Sequence, residues 1–431
     1  MFAILVFLVV KGTDTFIDID SGGFISLAKE LLNQGSFSSF YHTPGYPLFL
    51  LIGQLFTDSL VIPIFFQIIV SSLCVFLVFV ITKKLFNNDN TALVAACLAA
   101  IEPLSILYAS KLLTETLFTL FVLLIVYCFI HYVTHQSYKY LILTALAIAG
   151  SAYVRPISFY FSYYWGIAFL LLYLFKSIPL KKAVGHWFIL MIITQGLIGI
   201  WQIRNHVLYD YNGFASVSEY NQYFYNAASL MARLNNQSYY QVQKDLINTE
   251  RQKFLTEHPD VQYPNHEGTF YKGLSRKTIQ LIIQNPITYG IIHLKGIIRL
   301  LFDPGGIFYL RMLKLYPVKG GILGKLIDSN IVKVAFDLMI NQPLVFWSNI
   351  ILGIILIGFY SAMVFSYCSR EFWKNSQAMC LILLSLYYII LSGGPLGYHR
   401  FRTPLMPIFC IIAAYGIEMV YQKFQNRSYK D

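Results

Sequence analysis

Long apolar runs decide what this chain can become. Residues 61–82 carry no charge before Lys83-Lys84 close the run. Comparable runs cover 91–107, 112–133, 141–154, 157–175, 184–203, 344–367, 378–391 and 405–421. A helix needs ~20 mostly apolar residues to cross a hydrocarbon core, and there only helices and closed barrels satisfy their own backbone. A barrel would read as short alternating segments instead. Only 12% of residues are charged and 57% are hydrophobic, where soluble domains average about 25% charged. The expectation is an all-α polytopic membrane protein, a transmembrane helix bundle of about nine to eleven spans.

A net charge of +11 in such a chain points to basic cytoplasmic loops and anionic partners rather than to nucleic acid, and no nucleic-acid partner is expected. Cys74, Cys97, Cys128, Cys368, Cys380 and Cys410 lie in or at the end of apolar runs without metal-ligand spacing, so they read as small buried hydrophobes. Residues 1–10 lack the basic start and small-residue cleavage site of a secretory signal. That run is short for a span: it is either the outer part of a first helix or follows a start placed too late.

Three regions follow: 1–203, a transmembrane module with a first outer loop at 11–60; 204–342, an extramembrane region; and 343–431, further spans with a basic cytoplasmic tail. Residues 204–285 are rich in Tyr, Asn, Gln and Ser, too long and too aromatic for a linker, which predicts a small folded subdomain. Within it 241–257 reads as a helix stopped by His258-Pro259. Residues 287–302 are apolar but interrupted by His293, Lys295 and Arg299; they form either a short span or a surface-lying helix. Lys83-Lys84, Lys139, Lys176 to Lys182, Arg370 with Lys374, and the tail set the cytoplasmic side. The spans then alternate if 287–302 does not cross, and the first outer loop, Arg155, 204–285 and 393–404 share the outer face.

Two carboxylates, Asp18 and Asp20, stand just past the first apolar run. Behind them Phe24, Leu27, Ala28, Leu31 and Leu32 recur on one helical face, Lys29, Glu30 and Asn33 on the other, and Gly35 stops the helix. This predicts a helix lying on the membrane surface with Asp20 at its start. Capping by Asp20 or Ser21 stays open beside an active-site role. Residues 46–56, entered through Pro44 and Pro47, predict a second such helix. Three more charged groups reach the same face: Glu102 with Glu115, flanking a short turn; Arg155, aimed by the bend at Pro156; and His399, Arg400 and Arg402 between two spans. Glu115 could instead pair with Lys111 one turn earlier, Glu102 could be a solvated helix end, and Arg155, Arg400 and Arg402 could be interface anchors. Two arginines and a histidine within four outer residues run against the positive-inside trend. His42 and His266 are conceivable metal or acceptor ligands, as is Glu102, although an isolated loop histidine is more often a solvated turn residue.

Arginines hold phosphate through bidentate hydrogen bonds, and a lipid phosphate would arrive at this depth. A nearby carboxylate can act as general base on an acceptor hydroxyl or help to hold a divalent metal. Together these describe transfer of a group from a lipid-phosphate carrier.

The ordered pieces Asp20-Ser21 with Phe24, Ala28, Leu31 and Gly35; Pro44-Gly45-Tyr46-Pro47; Leu112-Leu113-Thr114-Glu115; Val154-Arg155-Pro156; Arg204-Asn205; and Arg400-Phe401-Arg402-Thr403-Pro404 with Pro407, Ala413 and Gly416 resemble the GT-C superfamily of glycosyltransferases that use polyprenyl-phosphate sugars. More narrowly, the chain is similar to bacterial relatives of dolichyl-phosphate-mannose protein mannosyltransferases and lipid A aminoarabinose transferases. The resemblance implies a GT-C-like bundle with two juxtamembrane helices in the first outer loop. It implies Asp20, with Asp18 second, as catalytic base or metal-site carboxylate, Glu115 as second acid, and Arg155, Arg400, Arg402 and Arg204 near the donor phosphate. It also implies a polyprenyl-phosphate sugar donor, inversion at the anomeric carbon, an acceptor that is lipid A, a glycan or a protein, and a site on the periplasmic face of a bacterial inner membrane. A divalent metal ion is an open cofactor. The competing functions are a flippase of lipid-linked glycans, against which the lack of an internal repeat counts, and a polysaccharide polymerase or ligase that uses 204–285 to hold its substrate.

Overall fold

A computed structural model describes residues 13–257, 259, 270–271, 273–316 and 331–428; the apolar run at 1–10 and His266 lie outside the described residues. Among the described residues every regular element is helical. After a turn at Thr13–Phe16 come α1 (Ser21–Gln34), α2 (Gly45–Gln54), α3 (Val61–Phe86), α4 (Asp89–Ile101), α5 (Pro103–Ala109), α6 (Glu115–His135), α7 (Tyr138–Val154), α8 (Phe161–Leu174) and α9 (Leu180–Tyr209). The middle region holds α10 (Val217–Asn221), a π-helical turn at Gln222–Ala227, α11 (Ala228–Leu234), α12 (Tyr239–Glu257), α13 (Leu274–Gln284), α14 (Pro286–Phe302), α15 (Gly306–Met312) and α16 (Ile331–Asn341). The chain closes with α17 (Pro343–Tyr367), α18 (Arg370–Lys374), α19 (Ser376–Ser392), α20 (His399–Arg402) and α21 (Met406–Ser428).

Among the described residues six helices are long and apolar enough to cross a membrane, the bent pair α4 and α5 makes a seventh candidate, and α7 and α19 are shorter apolar helices. The runs expected at 141–154 and 378–391 form these two 17-residue helices, so six or seven of the nine expected runs are of full span length among the described residues. The run expected at 91–107 is not one straight span. It bends by 54° between α4 and α5, because Pro103 cannot continue the helix ladder and Glu102 adopts an extended backbone at φ −64, ψ 118. The run expected to end near Ile203 continues as a single helix of 30 residues to Tyr209. Four cysteines are buried as expected, but Cys97 and Cys368 are exposed. The region 287–302 forms α14, which at 17 residues falls outside the span-length set.

The main core lies where α3, α6, α7, α8 and α21 meet, around Val78, Phe118, Ile148, Phe161 and Cys410. Gly416 lets α21 press onto α17, since a Cβ there would fall 2.0 Å from the Ala362 carbonyl oxygen. One end of the bundle carries the lysines: Lys182 Nζ donates to Gln136 at 2.5 Å, and Asn375 donates to the Leu85 carbonyl at 3.1 Å. Glu115 begins the 21-residue α6 and His135 ends it, about 30 Å apart at 1.5 Å per residue. Glu115 therefore stands one hydrocarbon thickness from the lysine-rich end.

At that opposite end, α1 buries Phe24, Leu27 and Ala28 as its spacing predicts, while Leu32 is exposed. Gly35, at φ 64, closes it with its N–H on the Leu31 carbonyl. The buried amide of Gln67, on α3, donates to the Tyr108, Ala109 and Lys111 carbonyls and accepts from the Tyr46 hydroxyl. That one side chain ties α2 to the turn between α5 and α6. The middle region has its own small core of Phe40, Tyr211, Tyr223, Phe224, Tyr271 and Leu274. Phe40, from the first loop, belongs to that core, so the described helices of the middle region pack onto the loop there.

Candidate active site

Glu115 is fully buried at the start of α6, where the helix dipole favours an acid. Its Oε1 accepts from Arg155 Nη1 at 3.1 Å and from Arg400 Nε at 2.5 Å. Its Oε2 is buried and takes no hydrogen bond from any described residue. Arg400 continues outward: its Nη1 donates to Asp20 Oδ2 at 2.5 Å. Two carboxylates and two guanidiniums, drawn from four distant stretches, thus form one electrically balanced cluster. Exposure rises along it, from Glu115 at 0% through Arg155 at 12% and Arg400 at 13% to Asp20 at 44% for the side chains. The cluster opens outward through Asp20.

Local chemistry aims each member. Pro156 bars Arg155 from helical geometry; its backbone is extended at φ −141, ψ 123, and its guanidinium lies over the Phe118 and Phe401 rings at 5.5 and 5.3 Å. Asp20 occupies the N-cap position of α1 but makes no side-chain cap bond, its backbone being helical at φ −79, ψ −17. Ser21 does not cap either. Its hydroxyl accepts from the Asp18 N–H and donates to the Leu112 carbonyl, both at 2.9 Å, which stitches the first loop to the α6 entrance. The capping alternative is therefore not realised, and the carboxylate left over faces Arg400.

Asp18 is half-buried, and its Oδ1 accepts from the Ile19 N–H at 2.8 Å. Lys111 does not pair with Glu115; its Nζ donates to the Thr15 carbonyl at 2.7 Å. Burial lowers the pKa of Lys111, and Asp18 opposes that shift. His42 packs between Phe24 and Tyr41, ring centroids 4.8 Å away on both sides. Burial lowers its pKa, and the charge on Asp20 pulls it partly back. Glu102 is buried, and its two oxygens accept from the Leu104 and Ser105 N–H groups at 3.0 and 2.7 Å. It caps α5 rather than facing solvent, an acceptor or a metal.

The structure does not bring Arg402 or Arg204 to the carboxylates. Arg402 is buried and donates to the Leu300, Leu301 and Asp303 carbonyls at 2.8, 2.6 and 2.9 Å, which closes the C-terminus of α14. Arg204 donates to the Phe37 carbonyl and, at 2.9 Å, to the Ser39 carbonyl, and lies 4.5 Å over the Trp201 ring. It clamps the first loop onto α9. Sequence reasoning missed Tyr108 and Asp303, which meet through His399: Nδ1 lies 2.8 Å from Asp303 Oδ2, and Nε2 lies 3.1 Å from the Tyr108 hydroxyl. Burial would raise the Asp303 pKa, but His399, the Gly305 N–H and Arg402 outweigh it and bring it to about 2. In the sequence Asp303 stands directly before Pro304, where it reads as a helix break.

Among the described residues no three His, Cys, Asp or Glu side chains gather as a metal site. Asp20 is joined to Arg400 and Glu115 to two guanidiniums, and that positive charge opposes a cation. The donor set does not fit a divalent metal.

Residues 41–201 match the family described as dolichyl-phosphate-mannose-protein mannosyltransferase. The match covers Glu115 and Arg155 but neither Asp20 nor Arg400. Among solved structures, the chain is similar to the archaeal oligosaccharyltransferase AglB from Archaeoglobus fulgidus in complex with an inhibitory peptide and a dolichol-phosphate. The TM-score is 0.51 at 12% identity, over 99% of this chain and 51% of that one. It is also similar to the Archaeoglobus fulgidus oligosaccharyltransferase tethered to an acceptor peptide carrying the NVT sequon, with TM-score 0.50 at 13% identity over 95% of this chain and 46% of that one. The same enzyme complexed with Zn and sulfate matches with TM-score 0.50 at 13% identity, over 95% and 46%. The chain spans about half the length of these structures, and no curated protein matches it. The expected GT-C-like helical fold is the fold observed.

Proposed function

We propose that this chain is a membrane glycosyltransferase that moves a sugar from a polyprenyl-phosphate donor to an acceptor hydroxyl. The family description matched by residues 41–201 and the GT-C fold support the reaction class. The meeting of Asp20, Arg400, Glu115 and Arg155 is the observation that carries the reading. The lysine-rich end faces the cytoplasm by the positive-inside trend, so the cluster faces the outer side. For a bacterial chain that side is the periplasm.

The roles follow from charge and position. Glu115 binds both arginines through one oxygen and holds them side by side. Their remaining N–H groups receive the donor phosphate, which competes with Asp20 for Arg400. Once displaced, the Asp20 carboxylate accepts the proton of the acceptor hydroxyl. The acceptor oxygen forms its bond to the anomeric carbon as the bond from that carbon to the phosphate oxygen breaks, with inversion as the family resemblance implies. The leaving phosphate gains one negative charge, and Arg155 and Arg400 stabilise it. Asp18 serves as the neighbouring carboxylate that faces Lys111. Arg402 and Arg204 hold backbone and take no part in the chemistry. No step runs through a metal, since the residues present do not fit one. The donor sugar is a hexose or a pentose, and the acceptor is a glycan, a protein or lipid A.

The test is transfer from a radiolabelled polyprenyl-phosphate sugar by the reconstituted protein. Asp20→Asn is expected to lower kcat by about 10²-fold or more while donor binding persists, because the phosphate no longer competes with a charged carboxylate. Transfer at the wild-type rate by equally expressed Asp20→Asn would remove Asp20 from the mechanism. Lipid movement without any glycosidic product would replace the reaction by transport.

A further inference from the structure

Arg400 belongs to α20, a helix of four residues. It is the first turn of a helical run that continues through a 3-10 turn at Thr403–Leu405 into α21, and a first turn leaves its N–H groups without partners inside the helix, so contacts outside the run decide how that turn is set. His399 and Arg402 lie three residues apart and share one helical face. Both are turned to the end of α14: His399 to the Asp303 carboxylate, Arg402 to the Leu300, Leu301 and Asp303 carbonyls. Arg400, one residue on from His399, is about 100° round the helix and turned to Asp20 and Glu115.

The pin at His399 is built from both sides. Asp303 is itself fixed, its Oδ1 accepting from the Gly305 N–H at 2.9 Å. His399 is fully buried, with the Phe308 ring edge-on at 4.5 Å. With Nδ1–H donated to Asp303, Nε2 is left to accept from the Tyr108 hydroxyl. Tyr108 lies near the end of α5, where its carbonyl accepts from Gln67. α14 itself runs tight against the loop before α20: a Cβ on Gly296 would lie 1.8 Å from the Gly394 carbonyl oxygen, and Arg299 donates to the Pro395 carbonyl at 3.0 Å.

We propose that Asp303, acting through His399, is a positioning residue for Arg400, so that the end of α14 sets how the donor phosphate is gripped. The inference rests on the proposed function for the identity of the phosphate. Neither residue touches substrate. Removing Asp303 frees the His399 ring to turn, and α20 then carries Arg400 away from the Asp20–Glu115 gap.

The experiment measures binding of undecaprenyl phosphate to the full chain in nanodiscs. Wild type is compared with Arg400→Ala, Asp303→Ala, the double variant, His399→Leu and His399→Asn. Arg400→Ala and Asp303→Ala are each expected to weaken binding about tenfold, and the double variant by no more than about threefold beyond Arg400→Ala. His399→Leu is expected to match Asp303→Ala. His399→Asn, whose amide N–H can reach the Asp303 carboxylate, is expected to stay within about threefold of wild type. If Asp303→Ala does not fold, the contrast between His399→Asn and His399→Leu carries the same comparison. Additive losses in the double variant, or equal losses in His399→Asn and His399→Leu, would overturn the positioning role and leave the function standing. Unchanged binding in Arg400→Ala would overturn both.

Discussion

Asp20 and Ser21 are neighbours at the head of α1, and the structure divides between them two roles that the sequence leaves open for either. Ser21 stitches the loop to the Leu112 carbonyl, and Asp20 is left facing Arg400. A helix start with an acid and a serine reads as a cap; only the distant partners distinguish capping from an ion pair, and those partners are separated from Asp20 by most of the chain. The same limit applies to the arginines. Arg155 and Arg400 were legible as outer-face charges, but that Arg402 and Arg204 answer backbone carbonyls depends on where α14 and the first loop end. At Glu115, replacement by Gln leaves Arg155 without its acid and Arg400 with Asp20 alone. Uncompensated buried charge costs about 3–5 kcal/mol, so Glu115→Gln is expected to lower thermal stability as well as activity, measurable as a lower Tm in detergent. His42 gives a pH prediction. Its pKa is lowered in the folded protein, so the unfolded chain takes up the proton first as pH falls through about 6.5. Stability is therefore lost on acidification through that range. His42→Phe, which keeps the ring between Phe24 and Tyr41, should show a smaller fall in Tm between pH 7.5 and 5.5. An equal fall would mean that His42 contributes nothing to it.

At the scale of elements, the helices themselves were the most legible part. Unbroken apolar runs specify the ends of α3, α6 and α17 to within four residues, and the face of α1 is readable from Phe24, Leu27 and Ala28. Breaks were harder. Pro103 lies inside the run 91–107, which reads as one span, and the 54° bend there follows from Glu102 capping the second piece. Gln67 shows what patterning cannot reveal: within a run of apolar residues it reads as a tolerated polar insertion, but it holds three carbonyls and one hydroxyl of two other elements. Gln67→Leu leaves those carbonyls buried without a donor and is expected to cost about 3 kcal/mol. The resulting drop in Tm should be accompanied by faster proteolysis in the turn between α5 and α6. A change under about 0.5 kcal/mol would show that the turn is held without it.

At the scale of the whole molecule, the chain brings a carboxylate near its start and a guanidinium near its end to one side of a helical bundle. The alternation of lysines predicts that these groups share one face, because charge placement and span count are properties of order along the chain. Which side chains then touch is not, since it depends on the bend at Arg155-Pro156, the cap on α14 and the short helix α20. Orientation is open to labelling. With Cys97 and Cys368 replaced, a cysteine at Asn236 is expected to react with an impermeant maleimide in intact cells, and one at Lys139 only after permeabilisation; the reverse pattern would turn the molecule over. The most direct test of the central claim is an experimental structure with a polyprenyl phosphate bound. The account predicts the phosphate between Arg155 and Arg400, with Asp20 released toward the outer opening. A phosphate seated elsewhere, with the Asp20–Arg400 pair still closed, would contradict it.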